Sequence, residues 1–176
     1  MNIRKNFIAM LAIILTITCM PMASFADSDA GSEVEMQKGK IIMIHDGKIT
    51  TIDMRNVIIF DENGNIVPRT RADWQFNTSV TLKNGYGALI TAEPVYYSAS
   101  PITMYASCSV GKVTGLQGEA RLVEDSNSEI MGKFKATKGT WYGKLKYNLG
   151  WVGNTLLYIR NASSDTITVD SVTYDF

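Results

Sequence analysis

From Ala72 to Leu82 two kinds of side chain alternate without a break. Ala72, Trp74, Phe76, Thr78, Val80 and Leu82 interleave with Asp73, Gln75, Asn77, Ser79 and Thr81. An extended chain points successive side chains to opposite faces, so a period of two over this length predicts a strand with one face in a core. Ile102, Met104, Ala106 and Cys108 repeat the pattern. Turn signals at Asp46-Gly47, Asn63-Gly64 and Asn84-Gly85 punctuate the chain, and the last predicts a hairpin into a strand over 86–93. Further runs at 40–44, 49–52, 57–60, 66–67, 120–124, 130–136, 144–149, 156–161 and 167–176 read as strands. Pro94 and Pro101 bracket 95–100, which suits an edge or a corner. Leu116, Ala120 and Val123 could share a helix face, but Gly115 and Gly118 among them argue against a helix. Eight to eleven short strands at turn spacing predict an all-β, antiparallel β-sandwich of one domain, jelly-roll-like, with a β-barrel as the second choice.

The strand pattern begins only near Lys40. Before it, residues 1–26 have the form of a cleaved secretory signal. Arg4 and Lys5 precede the apolar run 7–19, Pro21 follows, and Ser24-Phe25-Ala26 is a small-x-small cleavage site. The run is shorter than the roughly 20 residues that span a bilayer. Cys19 lacks the small residue before it that lipid attachment requires, since Thr18 stands there. Residues 27–39 are polar and acidic, as a flexible leader is, and 40–176 are expected to form the β domain. The expected location is therefore extracellular, either free or associated with a bacterial cell wall. Without the signal, 15 basic and 17 acidic residues remain, and Cys108 is the one cysteine left. That excludes an intramolecular disulfide and a cysteine-rich zinc module.

Several chemistries lack their residues. A single histidine, His45, excludes a multi-histidine metal site, and there is neither a phosphate-cradling Gly-x-x-x-x-Gly-Lys nor a Gly-x-Ser-x-Gly elbow. No cofactor or metal is expected. Ser109-Val110-Gly111-Lys112 matches Ser-x-x-Lys, but in a stretch that reads as strand and turn rather than helix start. Asp61-x-Asn63-x-Asn65 opens like a calcium loop yet lacks the glycine and glutamate that complete one, so it reads as a turn.

One catalytic constellation has the required residue types. A cysteine nucleophile needs a base or cation beside it, and an arginine can stabilise an oxyanion. His45 lies 63 residues before Cys108, and Arg121 lies 13 after it. This spacing resembles that of the sortase transpeptidases, β-barrel enzymes of the Gram-positive surface. The resemblance implies Cys108 as nucleophile, His45 as acid–base partner and Arg121 as oxyanion donor. Where that family has Thr-Leu-x-Thr-Cys, this chain has Met104-Tyr105-Ala106-Ser107-Cys108. Its phase with Met104 and Ala106 also suits a core cysteine.

Two features point to binding. Between Glu129 and Asp165 there is no acidic residue, and residues 130–164 carry a net charge of +6. If 130–136 and 144–149 pair as a hairpin, Lys133, Lys135, Lys144 and Lys146 share one solvent face that could hold an anionic polymer or an acidic glycan. The second feature is the aromatic stretch around Trp141, Tyr142, Tyr147 and Trp151, where glycines expose flat rings suited to sugars. The expectation is a secreted, non-enzymatic bacterial β-sandwich that binds an extracellular or cell-envelope ligand, either a glycan or an anionic polymer. A second secreted protein is the other candidate partner. Nucleic acid is not expected for a slightly acidic secreted chain, and no transmembrane segment is expected in the mature chain.

Overall fold

A computed structural model describes residues 36–69 and 78–176. The strands are β1 (Lys40–His45), β2 (Lys48–Asp53), β3 (Ile58–Phe60), β4 (Val80–Leu82), β5 (Gly87–Leu89), β6 (Val95–Tyr97) and β7 (Ile102–Val110). They continue as β8 (Leu116–Leu122), β9 (Ser128–Lys133), β10 (Lys135–Lys138), β11 (Tyr142–Tyr147), β12 (Gly153–Asn161) and β13 (Ile167–Asp175). The larger sheet runs β10-β11-β7-β13-β1-β2, with β4 beside the start of β13. The smaller runs β3-β5-β12-β8-β9, with β6 beside the start of β12. All pairings are antiparallel except β1 with β13. Both sheets keep open edges, so the architecture is a β-sandwich and not a closed barrel. No helix among the described residues is long and apolar enough to cross a membrane.

The alternating strands supply the core. Ile102, Met104, Ala106 and Cys108 of β7 all point inward, as do Leu157 and Ile159 of β12 and Val172 and Tyr174 of β13. Val80 and Leu82, the described end of the 72–82 alternation, are fully buried as their phase requires; Trp74 and Phe76 lie outside the described residues. Residues 116–122 are strand, and Gly118 shows why that position could not carry a side chain. A Cβ there would strike Leu145 from the facing sheet and Met131 from the neighbouring strand β9.

Two readings need correction. The Asn84-Gly85 turn does not close a hairpin: β4 pairs with β13 in the larger sheet, whereas β5 pairs with β12 and β3 in the smaller. The turn is a crossover, held where the Gly85 N–H donates to the Asn161 carbonyl at 2.9 Å. Nor is 130–136 one strand. Phe134 is buried and its N–H donates to Leu116 O at 3.0 Å, so β9 ends in the smaller sheet and β10 begins in the larger.

The open end of the β1–β2 hairpin is tied at Asp53, opposite Lys40. Its carboxylate accepts from the Arg55 side chain at 2.8 and 2.9 Å, from the Arg55 N–H at 2.9 Å and from Lys40 at 3.2 Å. Arg55 above all, with Lys40, holds this carboxyl well below the usual carboxylate range despite the opposing cost of burial. A depressed pKa contributes stability above the unfolded value near ~3.9 that is lost as pH falls below it. Asp53→Asn is therefore expected to destabilise the hairpin at pH 6 and to narrow its deficit against the wild type by pH 2.5. Denaturant unfolding at the two pH values checks this; an unchanged deficit would remove Asp53 as the acid-sensitive group.

Candidate functional site

The outer face of the smaller sheet carries a groove of about 740 Å³. It is lined from β3, β5, β12, β8 and β9, through Phe60, Gly87, Tyr158, Arg160, Glu119, Arg121, Ser128 and Ile130. Strand periodicity places them. With Leu157, Ile159 and Asn161 committed inward, Tyr158 and Arg160 must face out. With Gly118, Ala120 and Leu122 inward, so must Gln117, Glu119 and Arg121. Tyr158 stands opposite Glu119 on one side and Leu89 on the other, and Glu119 stands opposite Ile130.

Two aromatic rings and one ion pair shape the floor. Phe60 and Tyr158 lie 6.2 Å apart, tilted by 58°. Arg160 Nε donates to Glu119 at 2.7 Å, and its Nη1 donates to the Gly85 carbonyl at 2.9 Å. Gly87 lets β5 lie close to β12: a Cβ there would crowd the Ile159 carbonyl at 3.3 Å, while the Arg160 guanidinium would remain in ordinary contact at 4.0 Å. Gln117 donates a further hydrogen bond to Glu119 at 3.2 Å. Burial, the leading cause, raises the Tyr158 phenol above its ordinary value; Arg121 pulls it down and Glu119 pushes it up. The phenol is thus a neutral hydrogen-bonding group at physiological pH. Arg121 contacts the Ser126 hydroxyl at 3.3 Å. The floor offers aromatic faces beside fixed planar donors and acceptors.

The catalytic constellation does not assemble. Cys108 is 3% exposed on the inner face of β7, and burial, with the Asp170 charge, pushes its thiol up to about 12. His45 closes the β1–β2 hairpin, donating from Nδ1 to Phe176 O at 3.0 Å and packing on the Phe176 ring. Its neighbour Ile44 is level with Asp175, and Asp175 with Thr103, five residues from Cys108. At about 3.3 Å per residue that is more than 15 Å along the strand. Arg121 faces outward from the opposite sheet. A buried thiol that keeps its proton, with neither His45 nor Arg121 beside it, is no nucleophile.

The four lysines do not share one face, because the crossover at Phe134 separates them. Lys135, paired with Lys144, and Lys146 belong to the larger sheet, while Lys133 pairs with Gln117 in the smaller. Lys144 lies 5.5 Å from the Tyr105 ring centre. The four aromatics do not gather either. Trp141 is exposed beside Gly139 at the start of β11. Tyr147 and Trp151 pack against the core at its far end, where Tyr147 donates to Glu129 at 2.5 Å and Trp151 donates to Thr155 at 3.0 Å. Tyr142 is half-buried opposite Ser107. Ser109 donates to Asp170 at 3.0 Å, and Asp61 accepts from Asn63 and Asn65 N–H groups as a turn.

Sequence reasoning missed Phe60, Glu119, Tyr158 and Arg160. The usable signal was the outward phase of 117–121 and 156–160, where polar and aromatic residues alternate with core positions. The chain matches no protein-family model, no curated protein and no solved structure.

Proposed function

We propose that this chain is a non-enzymatic binding module for a glycan of the extracellular space or cell envelope, and that the ligand lies in the groove of the smaller sheet. The observation that carries the reading is the Phe60–Tyr158 pair beside the Arg160–Glu119 ion pair. Sugar rings present apolar C–H faces and rims of hydroxyls, and aromatic faces flanked by planar donors and acceptors complement both. Arg160 and Glu119 neutralise each other, which favours a neutral polyhydroxylated ligand over a polyanion at this surface. The signal-like residues 1–26 support an extracellular site of action.

Electrophoresis of the full chain through gels containing neutral plant and microbial polysaccharides tests this. At least one is expected to retard the wild type, and Tyr158→Ala to weaken retardation about five-fold, in line with about 1 kcal/mol for an aromatic contact. A Lys135, Lys144 and Lys146 triple alanine variant is expected to bind as the wild type does. Retention that ignores Tyr158 but vanishes with the lysines would move the site to the larger sheet and its ligand to an anionic polymer.

A further inference from the structure

The groove's orientation and ends say which part of a glycan it takes, an inference that rests on the glycan reading above. It runs across the strands rather than along them, with Phe60 on the edge strand β3 and Ile130 on the opposite edge strand β9. Four strand intervals of about 4.8 Å separate those edges, so the floor is about 19 Å long. A pyranose unit in an extended chain advances about 5 Å, so the floor matches four units. Neither end carries a wall. At the β3 end the chain turns back through Gly64, where even an added Cβ would meet nothing within 4 Å, and bridges exposed Ile66 to Phe60, which continues the floor past β3 and does not close it. At the β9 end stands Ser128, small and exposed. A site for a chain terminus would need a blocking side chain and fixed hydrogen-bond partners for the terminal hydroxyls, and these ends supply no bulk to stop a continuing polymer.

We infer that the groove recognises an internal stretch of about four units in a linear, neutral glycan and lets the polymer run on past both edges of the sheet. The aromatic pair lies toward the β3 end and the Glu119–Arg121 side chains toward the β9 end, so successive sugars meet different partners. Affinity therefore accumulates with chain length until the floor is filled.

Calorimetric titration of the full chain with linear gluco-oligosaccharides of two to six units, β-1,4- and β-1,3-linked, tests the inference. Affinity is expected to rise about three-fold or more per unit up to four and then to gain no more than about three-fold in all by six, the number of registers a hexamer offers a four-unit site. Borohydride reduction of the hexamer's terminal unit is expected to leave its affinity unchanged. Ser128→Trp, which walls off the β9 end of an exposed position, is expected to weaken the hexamer at least five-fold while sparing the dimer. A plateau already at two units, a loss on terminal reduction, or a Ser128→Trp variant that binds the hexamer normally would overturn internal recognition while leaving the glycan reading intact. Binding of no oligosaccharide or polysaccharide at all would overturn both.

Discussion

Asn161→Leu is expected to cost about 3–5 kcal/mol of folding stability, a larger loss than most single substitutions produce. Asn161 ends β12 and is fully buried. Its Nδ2 donates to Leu82 O at 2.9 Å and to Asp165 O at 2.6 Å; its Oδ1 accepts from the Ser163 N–H at 2.9 Å and the Ser163 hydroxyl at 2.8 Å. One amide thus ties the last residue of β4, in the larger sheet, to the end of β12 in the smaller, and shapes the turn into β13. A leucine of similar volume fills the space but leaves buried carbonyls and an N–H unmatched, each at about 1–3 kcal/mol. Partial relaxation of the 162–165 turn toward water keeps the total below the simple sum. Thermal unfolding should show a midpoint lowered by about 10 °C, given about 2–4 °C per kcal/mol at this chain size. A loss under 1 kcal/mol would show that the crossover is held by its backbone bonds alone.

That crossover also marks the boundary of what could be read from sequence. Where one face of a strand is buried and the other wet, alternation reports the face directly, and β7 and β12 are legible for that reason. Which strand pairs with which depends on where the chain changes sheet. Asn84-Gly85 has the composition of a hairpin turn, yet it performs a crossover because Asn161, 76 residues away, captures both its flanks. Phe134 sits among lysines in a run that looks continuous, and only the facing Leu116 makes it a corner. The lysine face failed with that corner. The groove was hidden for a different reason: its residues are ordinary outward positions on separate strands, brought together by register. Arg121 stood out in the sequence by its spacing from Cys108, and the fold gives it a place in the groove instead.

Wild-type stability is expected to fall steeply above pH 9, with Cys108 as a leading cause. The buried thiol is pushed up to about 12, whereas an unfolded cysteine titrates near 9.0. The sign follows from proton binding. Between these values the unfolded chain has released the thiol proton and the folded chain retains it, so the unfolded state gains as pH rises. By pH 10.5 the ionisation gap of about 1.5 units amounts to roughly 2 kcal/mol, and the loss continues toward pH 12. Tyr174 acts in the same direction, because burial raises its phenol and its hydroxyl has no hydrogen-bond partner among the described residues. Cys108→Ala removes one of the two. That variant should begin less stable at pH 7, by about 1 kcal/mol for a small cavity, and should then lose less on going to pH 10.5, so that the two stability curves converge or cross. Denaturant midpoints at pH 7, 9 and 10.5 measure the slope directly. A thiol reagent gives an independent reading, since folded Cys108 should be alkylated only through opening and more than a thousand-fold slower than in denaturant. Parallel pH curves for wild type and Cys108→Ala, or ready labelling of the folded protein, would show that the thiol reaches water and return Cys108 to consideration as a reactive group.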